Sequence, residues 1–86
     1  MSKIKCNGVN YRQGYIEVDS QIHGNHINIE VWNVHPDIDI SNEQSDVSKL
    51  NDCDVIGNTE IELSVEQAEL LIKKLSLGIN KVKGSS

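Results

Sequence analysis

The sequence predicts an α+β fold in which an antiparallel sheet of about four strands packs one face on a single C-terminal helix. Three patterns predict it. Two segments of alternating polar and apolar residues, 15–23 and 26–34, flank a Gly-Asn dipeptide, and a third alternating segment follows at residues 59–63. Behind the third segment, apolar residues recur at helical spacing as far as residue 79.

The first two segments form a predicted β-hairpin. Gly24-Asn25 suits a two-residue turn, because glycine adopts positive φ without strain. Such a turn fixes the register and places aliphatic side chains on one face and polar side chains on the other. The predicted pairs on the polar face are His23 with His26, Gln21 with Asn28, Asp19 with Glu30, Glu17 with Trp32, and Tyr15 with Val34.

A helix is predicted over residues 65–77. Ser64 and Gln67 have the capping-box spacing, in which the two side chains satisfy backbone N–H groups of the first turn. Gly78 is expected to end the helix, since glycine favours the position that follows one. The apolar stripe of this helix comprises Val65, Ala68, Leu71, Ile72, Leu75 and Ile79.

The remaining segments are assigned from weaker patterns. A fourth strand is expected near the N-terminus, over residues 3–6 or 9–12, with Asn7-Gly8 as a turn. Residues 35–58 lack a strong period, and we expect them to hold a helical turn at 45–50 and a short strand at 53–56.

The chain length predicts one domain, residues 1–83, followed by a flexible tail at 84–86. No apolar run reaches the roughly 18 residues of a membrane span, and the N-terminus lacks a secretory signal, so we expect a cytoplasmic protein without a membrane partner. Cys6 and Cys53 lie in no metal or redox spacing and are expected to be reduced thiols, with a disulfide between them as the alternative.

Acidic residues are concentrated between residues 37 and 69. The net charge is −5, and between Asp37 and Glu69 ten acidic residues accompany one basic residue, Lys49. This distribution disfavours direct nucleic-acid binding, which needs a basic surface, and it suits a protein partner with a basic surface. The alternative is that the charge serves solubility alone.

Two patterns have some features of metal sites. His23 and His26 would face each other across the hairpin turn, where two imidazoles can bind zinc or nickel, but a third ligand is missing nearby. Asp37 and Asp39 begin a segment like a calcium loop, which then lacks the glycine and the closing glutamate of such loops. We therefore expect no metal or other cofactor, and His23 and His26 are weak metal candidates.

No pattern in the sequence predicts catalysis. Serine, histidine and aspartate residues are present without a nucleophile motif, and there is no glycine-rich loop for phosphate. Carboxylates on an open sheet face also lack the burial that separates the pKa values of an acid–base pair. We therefore expect no enzyme activity and assign no catalytic residues.

The polar sheet face is the predicted partner-binding surface. It would carry acidic side chains, with Trp32 and Tyr15 at one end, and exposed tryptophans often anchor interfaces. The alternative is that residues 35–58 or the N-terminus fold over Trp32. The predicted binding residues are Trp32, Tyr15, Glu17, Asp19, Glu30, Glu60 and Glu62 on the sheet, and Asp37 and Asp39 in the loop that follows the hairpin.

These observations favour a small, acidic, non-enzymatic protein-interaction module. An immunity-type protein, an antitoxin or a phage-encoded inhibitor fits this composition and would bind a basic or nucleic-acid-binding partner. The alternative is a homodimeric domain that binds a small ligand or acts as a sensor. A structural piece of a larger assembly is a third interpretation.

Overall fold

A computed structural model describes residues 3–20, 23–41 and 50–84 of the chain. Within these residues, four strands form one antiparallel sheet in sequence order, and a helix follows the last strand. The elements are β1 (Lys3–Cys6), β2 (Gln13–Asp19), β3 (Ile27–Val34), β4 (Val55–Leu63) and α1 (Val65–Gly84). The predicted α+β class, with four antiparallel strands and one C-terminal helix, is therefore confirmed.

Strands β2 and β3 pair two residues away from the predicted register. Glu17 lies opposite Glu30, and Asp19 lies opposite Asn28. The His26 N–H donates to the His23 carbonyl (2.9 Å), but no described glycine has positive φ, so Gly24 does not form the primed turn of a two-residue hairpin. A shift of two residues keeps every side chain on its predicted face, and the hydrophobic pattern therefore cannot detect the error.

Strands β4 and β1 arise from segments that the sequence assigned only weakly or separately. Residues 59–63 and the second half of the short strand expected at 53–56 belong to one strand, β4, which has an irregularity opposite Asn33 and Val34. The first half of that expected strand is wrong, because Cys53 and Asp54 lie in a 3-10 turn, Asp52–Asp54. β1 occupies the first of the two N-terminal positions, whereas the second forms a 3-10 turn at Asn10–Arg12. The helical turn predicted at 45–50 lies outside the described residues, apart from Leu50 in a bend.

Helix α1 begins where predicted and ends later. Ser64 N donates to Gln67 Oε1 (2.9 Å) and Gln67 N donates to Ser64 Oγ (3.2 Å), which confirms the capping box. The predicted end at Gly78 is wrong, because the helix continues to Gly84. A glycine inside a helix costs about 1 kcal/mol relative to alanine, which weakens a helix without stopping it. No described helix has the length and apolar character needed to cross a membrane.

The buried core lies on the polar face of the sheet. Tyr15, Val34 and Ile40 are nearly inaccessible to solvent, with Trp32, Ile38 and Leu50 packed around them. The described residues of α1 are exposed apart from the half-buried Ala68, and the contacts of α1 with the sheet are few and involve β4. The predicted packing of the helix on the sheet is therefore weak, and the segment after β3 builds the core instead.

Candidate interaction surface

A short segment, residues 35–41, closes one end of the polar sheet face. The buried Gln13 side chain, at the start of β2, donates through Nε2 to the carbonyl oxygens of His35 (2.9 Å) and Ile38 (2.6 Å). From β1, Lys5 Nζ donates to the Ser41 carbonyl oxygen (3.0 Å). These bonds hold the segment across the sheet, so that the side chain of Ile40 reaches the core.

This closure corrects the expected position of Tyr15. Its side chain is 3% exposed, so it packs under residues 35–41 and presents almost no surface to a partner. The alternative is that residues 35–58 or the N-terminus fold over Trp32, and the structure places Trp32, Ile38 and Leu50 together around the core that Ile40 completes. Trp32 is half-buried beside the core, and the Lys3 ammonium lies 5.5 Å from its ring centroid, a distance that suits a cation–π contact.

The other end of the polar face carries five carboxylates, which we call the acidic patch. Glu17, Glu30 and Glu60 lie directly opposite one another on β2, β3 and β4, and the next row holds Asp19, Asn28 and Glu62. Neighbouring strands are about 4.8 Å apart, so these side chains are immediate neighbours. The acidic patch consists of Glu17, Asp19, Glu30, Glu60 and Glu62.

Hydrogen bonds from neutral amides position part of the acidic patch. The buried Asn28 donates through Nδ2 to Glu60 Oε2 (2.8 Å), and Asn58 donates to Glu30 Oε2 (3.2 Å). At the edge of the row, Lys3 forms an ion pair with Glu17 (3.5 Å). The amides fix the orientation of the carboxylates without cancelling their charge, so the middle of the row stays negative.

The weak metal candidates His23 and His26 lie beside the acidic patch. Both are exposed, and together with Glu62 they line an open depression where His23 Nδ1 bonds the Glu62 carboxylate. Among the residues that the structure describes, no group of three or more histidine, cysteine, aspartate or glutamate side chains could hold a metal ion. The observed contact is a histidine–carboxylate pair.

Asp37 and Asp39 shape the covering segment. Asp39 accepts hydrogen bonds from the Ser41 hydroxyl (2.6 Å) and the Ser41 backbone N–H (2.9 Å). These two bonds, helped by the charge of Lys5, lower the pKa of the Asp39 carboxyl below its ordinary value. The Asp37 N–H donates to His35 Nδ1 (3.1 Å). Both carboxyls are exposed at the surface, and residues 42–48 of the calcium-like loop lie outside the described residues.

The opposite face of the sheet carries no charged side chain at any described position, and we call it the uncharged face. Ile4, Val18 and Ile61 on this face are 58%, 44% and 56% exposed. Cys6 also lies here, and both described cysteines are free thiols. The uncharged face consists of Ile4, Cys6, Gly14, Ile16, Val18, Ile27, Ile29, Val31, Asn33, Gly57, Thr59, Ile61 and Leu63.

Comparisons of the chain with protein-family models, with curated proteins and with solved structures find no match. An open array of carboxylates accepts hydrogen bonds and attracts cations, and arginine and lysine side chains form their strongest hydrogen bonds with such groups. The acidic patch can thus accept hydrogen bonds from cationic side chains.

Proposed function

We propose that the protein is a non-enzymatic binding module whose acidic patch docks onto a basic surface of another protein. The observation that supports this most is the row formed by Glu17, Glu30 and Glu60. Like charges directly opposite each other in a sheet destabilise it. The row is costly in the free protein, and the cations of a partner would remove that cost on binding.

The shape of the patch also suits a protein partner. Glu60 and Glu62 are exposed on the edge strand, while Glu17 and Glu30 are half-buried and oriented by their neighbours. Carboxylates held in fixed positions lose little conformational freedom on binding. An inhibitor or immunity-type protein would use such a surface to cover the nucleic-acid-binding site of its target, because the carboxylates imitate the charge of phosphates.

The test is affinity capture from a bacterial lysate with paired variants. In the first variant, Glu60→Lys and Glu62→Lys reverse two charges of the acidic patch. In the control, Glu66→Lys and Glu69→Lys make the same change in net charge on α1, away from the sheet. Circular dichroism shows that each variant is folded before it is used.

We expect the wild type and the helix control to retain the same basic protein, and the patch variant to lose it. Equal loss in both variants would mean that overall charge alone causes the capture, and retention by the patch variant would overturn the proposal. The alternative function, a homodimeric domain for a small ligand, predicts a bound small molecule in native mass spectra of the wild type.

A further inference from the structure

The uncharged face has no cover within the described chain. A sheet face that contacts water usually carries polar residues between its apolar ones. On this face the polar side chains Asn33 and Thr59 lie towards one end, and each of the four strands contributes isoleucine, valine or leucine. The exposure of Val18 and Ile61 shows that α1 does not lie over them. A contiguous apolar surface of this kind marks an interaction site.

Helix α1 carries a second uncovered apolar surface, which we call the heptad seam. Its members recur with spacings of 3, 4, 3, 4 and 3 residues, the a and d positions of a coiled coil. The a positions are all β-branched, which together with leucine at d favours two parallel helices, and Leu75 is the leucine among the d positions. Apart from the half-buried Ala68, the members are more than half exposed. The heptad seam consists of Val65, Ala68, Ile72, Leu75, Ile79 and Val82.

The total surface of the chain is larger than that of a compact protein of the same mass, as expected if apolar surface is left for a partner. The chain exposes 6661 Å² at a mass of 9.6 kDa. A compact protein of that mass exposes about 5,100 Å², so roughly 1,500 Å² is in excess. The radius of gyration is likewise large, 14.6 Å, where about 12 Å is usual for this length.

We propose that a second copy of this chain covers both surfaces in a two-fold symmetric dimer. The two α1 helices pair in parallel through the heptad seam, and the same contact encloses the uncharged faces. If each copy buried its excess, the interface would total about 3,000 Å², which lies in the range of obligate homodimers. The acidic patches stay on the outer sides of this dimer, so the proposal does not depend on the proposed function.

The first test is sedimentation equilibrium of the full chain over a wide range of concentrations. The wild type should sediment at twice 9.6 kDa. Leu75 lies in the seam and Leu77 lies on the opposite side of α1, at similar exposures of 57% and 60%. Leu75→Lys should weaken the dimer by at least about tenfold, and Leu77→Lys should leave it unchanged. Ile61→Lys, on the uncharged face, should also weaken it.

A cross-linking test checks the pairing of the helices. In a parallel coiled coil, residues at the same d position face each other. Both native thiols, Cys6 and Cys53, are first replaced by serine. Under oxidising conditions, Leu75→Cys in this background should therefore form a covalent dimer, whereas Leu77→Cys in the same background should not.

Several results would overturn the proposal. A wild type that is monomeric at every concentration would show that α1 folds back on its own sheet or that a different protein covers these surfaces. Equal effects of Leu75→Lys and Leu77→Lys would exclude the heptad seam from the interface. A dimer in which Leu75→Cys fails to cross-link would exclude parallel helix pairing.

Discussion

Gln13 connects the sheet to the segment that covers it. Its side-chain nitrogen donates hydrogen bonds to two backbone carbonyls, those of His35 and Ile38. Both carbonyls are partly buried, and a carbonyl withdrawn from water costs free energy when its hydrogen-bond donor is removed. The position of residues 35–41 therefore depends on one polar side chain whose role is invisible in the hydrophobic pattern.

We predict that Gln13→Ala destabilises the protein by about 1–3 kcal/mol, because two carbonyls lose their donor. Urea unfolding measures the loss. The emission of Trp32, the one tryptophan in the sequence, should shift to longer wavelength as the cover loosens. The exposed turn variant Asn25→Ala serves as the control and should stay within about 0.5 kcal/mol of the wild type. Unchanged stability and emission in Gln13→Ala would show that other contacts hold the segment.

Gly14 is required by the close approach of β2 and β3. A Cβ atom at this position would lie 1.9 Å from the Trp32 carbonyl oxygen, which belongs to the backbone and cannot rotate away. We predict that Gly14→Ala costs about 1–3 kcal/mol through overpacking and strand displacement. In Gly24→Ala the new methyl group meets nothing within 4 Å and the backbone has no positive φ, so this control should unfold at the wild-type temperature or slightly above it. Similar midpoints for the two variants would contradict the close approach.

Among the elements, the start of the helix and the faces of the strands follow from local patterns. Ser64 and Gln67 cap α1 through contacts between near neighbours, which sequence spacing specifies. The register of the hairpin cannot be derived from such patterns, because a shift by two residues leaves every side chain on the same face of the sheet. The stripe of α1 likewise shows that a partner is needed without showing whether the partner is the sheet or another chain.

The sequence predicts which residues belong to the candidate site, but it does not predict which of them lie opposite one another. The outward position of Glu60 and Glu62 follows from the alternation of β4. The row of Glu17, Glu30 and Glu60 depends on the true register, so the sequence pattern paired Glu30 with the wrong residue. The cover over Tyr15 arises from tertiary contacts. One pattern in the sequence does indicate this covering segment. The apolar residues Ile38 and Ile40 alternate with acidic residues, as in an extended segment with one buried side.

Helix α1 continues through Gly78, and a substitution at Gly78 can test this continuity. Gly78 has helical neighbours on both sides, no positive φ, and open space where a Cβ atom would lie. We predict that Gly78→Ala raises the helix content and stabilises the protein by about 0.5–1 kcal/mol. Circular dichroism during thermal unfolding measures both quantities. A loss of helix content would indicate that Gly78 ends the helix in solution.

In the whole molecule, the sheet separates two kinds of surface. Its polar face is closed at one end by residues 35–41 and is acidic at the other, whereas the uncharged face and the heptad seam are apolar. Electrostatic attraction acts at long range and favours rapid encounter with a basic partner, while apolar burial favours stable assembly. This division suits a module that is held together by one surface and binds its target with the other.

The acidic row is tested most directly by the stability of Glu30→Gln, the central position of the row. Glutamine keeps an oxygen that can accept the hydrogen bond from Asn58 and removes the charge between Glu17 and Glu60. Urea unfolding at low ionic strength and fixed protein concentration measures the change in the free energy of unfolding. Glu66→Gln is the control, and it should show no gain, because Glu66 lies in the first turn of α1, where negative charge is favourable. We predict that Glu30→Gln is more stable than the wild type by about 0.2–1 kcal/mol, and that the gain shrinks as salt screens the row. A Glu30→Gln protein that is equally stable or less stable than the wild type would show that the row carries no cost, and would contradict its retention for a basic partner.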